Sequence, residues 1–202
     1  MWEKFDKAYE YAREKHKNQK RKVSGLPYLL HIYDVCQILM DNDATENAII
    51  AGVLHDTIED TGTTLDEIYA NFGSEVAYIV DVLTEKKTMP YEHRKTLQAV
   101  KVKHAPLDVK MVKCADLLAN MRSLKEEVCE FGESLWGKFN APKEIIAKHH
   151  KEMIDAISEL GNLQMYKELQ KIFDFVFDSE KEINRDVKTV INSRKARMLG
   201  IK

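Results

Sequence analysis

Apolar residues recur along most of the chain with the spacing of amphipathic helices. The first such segment includes Phe5, Ala8 and Ala12; it runs into a basic cluster, Lys15–Lys22, before Ser24–Pro27 interrupts the pattern. The same spacing predicts further helices over Leu30–Leu39, 45–59, two short stretches on either side of Gly73, 92–104, 108–124 and Pro142–Leu160, followed by a helical pattern from Leu163 to Val176. Because the chain has only 8 glycines and 4 prolines, we expect short turns between helices and an all-α fold.

Two of the predicted helices are apolar on nearly every side, which is typical of helices buried in a core. They cover residues 45–59 and 108–124. The first carries His55 and Asp56, and the second carries Asp116. A buried polar side chain is costly unless it has a partner, so these positions are candidates for chemistry.

Length and composition limit the classes of protein to consider. The chain has 202 residues, of which 44% are hydrophobic and 32% are charged, an ordinary balance for a globular domain. We expect one domain over residues 1–160 and a C-terminal helical extension over residues 161–202, which packs on that domain or on a partner subunit of a homo-oligomer. The net charge of −2 provides no basic field for nucleic acid.

The compartment follows from other features of the sequence. The three cysteines lack CxxC spacing, so they are expected to be reduced. The first residues are charged too early for a signal peptide, and no run reaches the roughly 18 apolar residues of a membrane span. The expected location is the cytoplasm, with no membrane partner.

The first buried segment ends in four residues that can bind or activate a ligand: His55, Asp56, Glu59 and Asp60. In a continuous helix, residues four apart share a face, so His55 would lie beside Glu59, and Asp56 beside Asp60. An imidazole next to a carboxylate is a mixed nitrogen and oxygen pair of metal ligands. We therefore expect a metal-binding pair and an acidic pair to face one pocket.

Candidate metal ligands fall on three separate predicted helices: His31 on one, the His55-Asp56 pair on another, and Asp116 on a third. A shared cation would remove the cost of burying both carboxylates. Two imidazoles and two carboxylates suit Mn²⁺, Fe²⁺ or a catalytic Zn²⁺ with open positions, rather than a structural zinc held by thiolates.

Each of these residues also has a plainer interpretation. His31 alone would be a satisfied core histidine, and Asp116 alone a buried residue that pairs two helices. The basic cluster is either a solvated helix end or a patch that admits a nucleotide. The adjacent His149 and His150 are predicted to lie on a solvated helix face rather than in a second metal site.

The order His31, His55-Asp56, Asp116 resembles the H…HD…D signature of the HD superfamily of metal-dependent phosphohydrolases. More narrowly, the segment His55–Thr61, His-Asp-Thr-Ile-Glu-Asp-Thr, resembles the HDxxEDT motif of guanosine polyphosphate hydrolases of the SpoT type and of the small stand-alone alarmone hydrolases. The similarity covers roughly residues 5–160. It continues through these segments: Lys15–Lys22, Gly25–Tyr28, Thr63–Ile68, Phe72-Gly73, Lys87–Pro90, Arg94-Lys95, Ala115-Asp116 and Asn120-Met121.

The resemblance implies an HD-domain multi-helix bundle around a single metal site, with extra C-terminal helices. It implies that His31, His55, Asp56 and Asp116 bind one Mn²⁺, or another divalent metal, and that Glu59 and Asp60 position and activate the attacking water. Residues expected to contact the nucleotide are Arg21 as a base-stacking group, Lys20 and Ser24 on the base side, Tyr28 and Asn120 near the ribose, and Lys87, Arg94 and Lys95 on phosphates. The implied reaction removes the 3′-diphosphate of ppGpp or pppGpp, releasing GDP or GTP and pyrophosphate.

Three positions depart from the family pattern. Ile32 replaces a proline, Leu117 stands where a basic residue follows the fourth ligand, and Ala119 stands where a histidine or tyrosine is common. None of them is a ligand position, but Leu117 and Ala119 bear on phosphate or nucleotide preference. Two alternatives therefore stay open: an HD phosphohydrolase acting on another nucleotide, such as a nucleoside monophosphate or NADPH, and a non-catalytic module that senses a nucleotide.

Overall fold

The computed structural model describes residues 2–177, and over these residues the chain is helical. The α-helices, in chain order, are α1 (Trp2–Lys15), α2 (Leu29–Asp41), α3 (Glu46–Leu54), α4 (Thr57–Thr61), α5 (Leu65–Phe72), α6 (Ser74–Leu83), α7 (Tyr91–Lys103), α8 (Leu107–Phe131), α9 (Lys143–Ala156) and α10 (Gln164–Phe177). Two 3₁₀ helices cover Gly132–Lys138 and Ser158–Leu160. Between residues 2 and 177, the extended backbone pairing is limited to an isolated bridge of Lys20 with Pro27, so the all-α prediction is confirmed.

The long helix α8 lies at the centre of the bundle and packs against α2, α3 and α10. Its residues from Val109 to Met121 are buried on almost every side, as the apolar pattern predicts. Helix α3 packs in turn on α1, α2 and α6. The helices that carry the candidate ligands are therefore mutual neighbours in the core.

The helix predicted over 45–59 is broken in two. Helix α3 ends at Leu54, Asp56 has a non-helical φ of −102° and ψ of 0°, and α4 begins at Thr57. At this break a side chain takes the place of a backbone donor, because the Thr57 hydroxyl Oγ1 donates to the Leu54 carbonyl at 2.7 Å. The break turns His55 and Asp56 into a junction between two helices, and Glu59 and Asp60 belong to the second helix.

Helices α2 and α3 approach closely at Gly52. A Cβ atom at this position would lie 2.5 Å from Leu39 Cδ1 and 3.3 Å from Val35 Cγ1. Both neighbours are fully buried, so there is little room for them to move. The missing side chain of Gly52 thus sets the distance between the helix that carries His31 and the helix that ends at His55.

The last described helix, α10, packs along α8. Arg122 on α8 makes two hydrogen bonds of 2.8 Å to the Glu168 carboxylate on α10, and the Met165 backbone N–H donates to Asn42 Oδ1 at 3.2 Å. The part of the predicted C-terminal extension beyond Phe177 lies outside the described residues. In the described part of the chain, no helix is both long and apolar enough to cross a membrane.

Candidate active site

The structure brings His31, His55 and Asp116 together from α2, the end of α3 and α8. Their ligand atoms lie within 4.8 Å of one another. His31 Nε2 is 3.4 Å from His55 Nε2 and 3.4 Å from Asp116 Oδ1, and His55 Nε2 is 3.7 Å from the same oxygen. Asp56 adjoins the group, with its Oδ2 atom 3.0 Å from His55 Nε2.

These donors fit a divalent metal ion. Ligand atoms that share an ion at about 2.0–2.2 Å lie roughly 3.0–3.6 Å apart in octahedral or tetrahedral geometry, which is close to the spacing of the cluster. Two nitrogen and two carboxylate donors form the mixed set that borderline divalent metals accept. A cation would also offset the burial of Asp116, which is only 8% exposed.

The tautomer of His55 is set by the backbone. Its Nδ1 atom lies 2.8 Å from the Gly52 carbonyl oxygen, an acceptor, so Nδ1 carries the hydrogen. The Nε2 lone pair of the neutral ring then faces the cluster, as a metal-binding histidine requires. The carbonyl comes from Gly52, the residue that also fixes the approach of α2 to α3.

Carboxylates dominate the electrostatics of the cluster in the absence of an ion. Burial alone would raise the pKa of Asp116, but the Lys113 ammonium, 2.9 Å from its Oδ2, and the two histidines hold that pKa well below the usual range. Burial opposes a charge on His55, yet the Asp56 and Asp116 carboxylates outweigh it and hold the pKa of His55 well above its ordinary value. The two carboxylates therefore favour the protonated form of His55.

Asp56 has a second partner on the α2 side. The Tyr28 hydroxyl donates to Asp56 Oδ2, and burial together with the Asp56 charge raises the pKa of Tyr28 far above that of an exposed tyrosine. Tyr28 is itself buried. The structure thus places Tyr28 against the metal cluster, whereas the sequence predicts it near the ribose.

The acidic pair lies next to the cluster, on α4. Glu59 Oε2 accepts a hydrogen bond from the Glu85 backbone N–H at 3.1 Å, while Asp60 accepts bonds from Gln19 at 2.8 Å and from Lys87 at 2.7 Å. Burial raises the pKa of Glu59, and the charge of Asp56 raises it further. A carboxylate with a raised pKa is a better proton acceptor, which suits a general base.

Four of the predicted nucleotide contacts form two pairs. Arg21 Nη1 donates to Asn120 Oδ1 at 2.9 Å, and Asn120 Nδ2 donates to Asp116 Oδ1 at 2.6 Å, so these two residues extend from the metal cluster. Arg94 Nε lies 3.0 Å from the Glu85 carboxylate and Lys95 Nζ lies 2.6 Å from it, so one carboxylate holds both of these α7 cations.

The three remaining predicted contacts lie away from the cluster or on its acidic pair. Lys87 pairs with Asp60 at 2.7 Å, as above, and is not among the residues that line the cavity beside Asp116. Lys20 and Ser24 are exposed in the connection between α1 and α2, where the Ser24 hydroxyl accepts from the Leu26 N–H at 3.5 Å.

A cavity of about 290 Å³ opens beside Asp116 between α7, α8 and α9. Its lining includes three predicted site residues, Arg21, Lys95 and Asn120, in addition to Asp116. The volume lies just below the roughly 300–1,000 Å³ of ligand pockets, so the cavity is large enough for part of a ligand of nucleotide size. The cavity joins the metal cluster to the predicted phosphate-binding residues.

Sequence reasoning missed several residues of this cavity: Glu85, Tyr91, Lys113, His149 and His150. The prediction that His149 and His150 lie on a solvated face is wrong. His149 is 5% exposed, and burial lowers the pKa of the half-buried His150 to about 4. The polar residues on this face of α9 have the sequence pattern of a solvent-exposed helix face. In the folded protein α9 packs against α7, and this contact buries the face.

Comparison with known proteins agrees with the site. The HD-domain family model matches residues 8–135. Over 121 residues the chain is 44% identical to the guanosine-3′,5′-bis(diphosphate) 3′-pyrophosphohydrolase MESH1 of Xenopus tropicalis, an alignment that covers 58% of this chain and 68% of that protein. The MESH1 protein of Homo sapiens is 41% identical over 120 residues, with 58% of this chain and 67% of that protein covered.

Solved structures give the same assignment. A metazoan orthologue of SpoT that hydrolyses ppGpp superposes with a TM-score of 0.72 at 26% identity, covering 85% of this chain and 94% of that chain. A protein from Listeria monocytogenes EGD-e superposes with a TM-score of 0.69 at 29% identity, covering 74% of this chain and 99% of that chain. The chain belongs to the HD-domain family of metal-dependent phosphohydrolases, and its relatives include the guanosine-3′,5′-bis(diphosphate) 3′-pyrophosphohydrolases named MESH1.

Proposed function

We propose that this protein hydrolyses guanosine 3′,5′-bis(diphosphate) at its 3′-diphosphate, with His31, His55, Asp56 and Asp116 as metal ligands. The observation that carries the proposal is the cluster of two imidazoles and two carboxylates, with Glu59 and Asp60 on the next helix turn. The activity named for the MESH1 relatives supports the choice of substrate.

The reaction breaks the bond between the ribose 3′ oxygen and its phosphorus, where a water oxygen is added. His31, His55, Asp56 and Asp116 would hold a divalent ion, which would supply Lewis-acid charge at the phosphate. Glu59 is the proton acceptor for the attacking water, since burial and the Asp56 charge raise the pKa of Glu59. Asp60, held by Gln19 and Lys87, orients the water. The ribose oxygen leaves with a proton, and the products are GDP and pyrophosphate.

The nucleotide enters beside the metal in this proposal. Arg21 offers a planar guanidinium on which the base can stack, and Asn120 fixes Arg21 relative to Asp116. Lys95 lines the cavity and supplies positive charge to phosphate oxygens, with Arg94 and Lys87 nearby on the same side of the chain. Lys20 and Ser24 would contact the outer edge of the base, and Tyr28 supports the site by holding Asp56.

Four finer statements belong to the same proposal. The ion is Mn²⁺, a metal that accepts imidazole and carboxylate donors together. The protein acts in the cytoplasm, which agrees with its free cysteines Cys36, Cys114 and Cys129. Residues 1–160 form the catalytic domain and residues 161–202 a C-terminal extension, whose described helix α10 packs on α8 of the same chain; a homo-oligomer is the expected assembly.

A substrate panel tests the proposal. The Mn²⁺-loaded protein is incubated with guanosine 3′,5′-bis(diphosphate), nucleoside monophosphates and NADPH, and pyrophosphate and orthophosphate are measured separately. We expect pyrophosphate from the first substrate. The double variant Glu59→Gln and Asp60→Asn should lose turnover while binding Mn²⁺ as the wild type does, and His93→Gln, an exposed change on α7, is the control.

Leu117 favours a second candidate, because it places an apolar side chain in the cavity where relatives are expected to have a basic group. Release of orthophosphate from a monophosphate or NADPH, without pyrophosphate from the guanosine substrate, would support this alternative phosphohydrolase. Tight nucleotide binding with no turnover of any substrate would instead support a sensing module.

A further inference from the structure

One buried nitrogen of the cavity has no partner among the described residues. The His149 side chain is 3% exposed, and its Nδ1 atom lies 3.0 Å from Glu152 Oε2 on the same helix. Its Nε2 atom is buried and makes no hydrogen bond to the described residues. A buried polar atom without a partner is costly, so a group that completes its hydrogen bonding is expected in the cavity that His149 lines.

Two cationic side chains lie near His149, and each is paired with a carboxylate of the cavity, Lys95 with Glu85 and Lys113 with Asp116. The His149 ring meets Tyr91 edge to face at a centroid distance of 5.6 Å, and Lys95 Nζ lies 5.7 Å from the same Tyr91 ring. Lys113 lines the cavity as well, next to Asp116 of the metal cluster. With Nδ1 directed at Glu152, Nε2 is the ring atom left to bond to an oxygen of a ligand in the cavity, and the Glu152 carboxylate lies behind the ring.

Leu117, which departs from the family pattern, bears on the role of His149. Leu117 lines the same cavity as His149 and follows Asp116 directly, at the position where the family resemblance leads us to expect a basic residue. His149 lies on α9, outside residues 8–135 that the HD-domain model matches. A hydrogen-bonding side chain that is absent at Leu117 is thus available from α9, in the cavity that Lys113 of α8 also lines.

We propose that His149 binds the terminal phosphate of the substrate's scissile diphosphate, replacing the basic side chain absent at Leu117, and so makes the cavity selective for a diphosphate over a monophosphate. The inference rests on the proposed function, in which the phosphate attached to the ribose lies at the metal cluster. The second phosphate then extends into the cavity past Asp116, towards Lys95 and His149.

Binding of inorganic pyrophosphate tests this inference without turnover. Titration calorimetry compares pyrophosphate with orthophosphate on Mn²⁺-loaded wild-type protein and on His149→Gln, which keeps a polar side chain of similar size but cannot become a cation. A charge-assisted hydrogen bond is worth roughly a 10- to 100-fold change in affinity. We expect His149→Gln to weaken pyrophosphate binding by about this factor and to change orthophosphate binding less than about threefold.

Two further variants sharpen the test. His93→Gln removes an exposed histidine from α7 and should leave pyrophosphate affinity unchanged. Leu117→Lys in the His149→Gln background should restore about tenfold of the lost affinity, because the new ammonium faces the same phosphate. If His149→Gln does not fold, by circular dichroism, His149→Asn is measured in its place.

The outcomes separate the inference from the proposed function. If wild-type protein releases no pyrophosphate from the guanosine substrate, yet binds pyrophosphate through His149, the proposed function fails and the diphosphate subsite stands. If the protein is active and His149→Gln binds pyrophosphate like the wild type, the subsite is overturned alone. A wild type that binds pyrophosphate no better than orthophosphate, or a Leu117→Lys change that restores nothing, also overturns it.

Discussion

The orientation of Asp60 depends on a chain of hydrogen bonds that begins at His16, the residue after the end of α1. His16 Nδ1 lies 2.6 Å from Gln19 Oε1, and Gln19 Nε2 donates to Asp60 Oδ2 at 2.8 Å. Because the Gln19 amide nitrogen faces a carboxylate, its oxygen must accept, so His16 carries its hydrogen on Nδ1. His16 is 1% exposed, which leaves this arrangement few alternatives. Gln19 is therefore a positioning residue for Asp60.

The change Gln19→Ala removes this support. A hydrogen bond to a charged group contributes about 1.5–3 kcal/mol, but the Asp60 side chain is 24% exposed and water replaces part of the loss. A net loss of about 1–2 kcal/mol in the transition state corresponds to a kcat reduced roughly 5- to 30-fold. Lys87 still holds the other carboxylate oxygen, so activity is not abolished.

The assay measures pyrophosphate release from guanosine 3′,5′-bis(diphosphate) and, separately, Mn²⁺ affinity by calorimetry. Gln19 is not among the cluster residues, so the Mn²⁺ dissociation constant should stay within about twofold of the wild-type value. Gln37→Ala is the matched control, because Gln37 is an exposed glutamine whose amide donates to Asp41 at 2.8 Å. Unchanged kcat in Gln19→Ala, or a loss of Mn²⁺ binding that accounts for the whole effect, would refute the positioning role.

Four other predictions concern the cluster and its support. Asp116→Asn should weaken Mn²⁺ binding more than about 100-fold with unchanged helicity by circular dichroism, since it removes a ligand charge; retained affinity would argue against its role as a ligand. The raised pKa of His55 means that Mn²⁺ binding at pH 7 should release about one proton, seen as a binding enthalpy that varies with the ionisation enthalpy of the buffer, and a buffer-independent enthalpy would contradict this. Gly52→Ala should lower the thermal midpoint by a few degrees, because overpacking against Leu39 costs about 1–3 kcal/mol while the gain in helix propensity is about 1 kcal/mol; an unchanged or higher midpoint would contradict the close packing. The raised pKa of Glu59 predicts that kcat falls as pH decreases through a value above the ordinary glutamate pKa of about 4.3, and an acidic limb at or below that value would exclude Glu59 as the base.

The grouping of the candidate metal ligands could be predicted from the sequence because these residues interrupt buried helices. A histidine or aspartate on a helix that is apolar on every side has few acceptable partners, and a common cation satisfies several at once. The structure places His31, His55 and Asp116 together on three neighbouring helices. The order of these residues along the chain also carried the resemblance to HD phosphohydrolases, which the family match confirms.

The helix break at His55 was not visible in the pattern. Residues 45–59 are apolar enough for one continuous helix, and nothing in their periodicity distinguishes a junction from a helix interior. The junction is stabilised by side chains that bond to backbone carbonyls, Thr57 to Leu54 and His55 to Gly52. Such local bonds compete with helix hydrogen bonds and depend on the tertiary position of each ring and hydroxyl.

The distal part of the cavity was missed for a different reason. Lys113 and His149 are polar residues on helices whose other faces are apolar, and a polar face normally indicates solvent. Here α9 packs on α7, and the face that carries His149 closes the cavity beside Asp116. Only the three-dimensional arrangement of α7, α8 and α9 shows that the polar face carrying His149 is buried rather than exposed to solvent.

Asp116 is the residue where the metal cluster and the cavity meet. Its Oδ1 atom faces His31 and accepts from Asn120, while its Oδ2 atom accepts from Lys113, which lines the cavity. A cation held by the cluster would draw negative charge from this carboxylate, so the Lys113 ammonium would be less fully neutralised and would attract a phosphate more strongly. An anion near Lys113 would in turn leave more of the Asp116 charge for the cation. Binding of the two ligands would therefore be coupled through one carboxylate, and the coupling would be reciprocal because it is a property of the shared free energy.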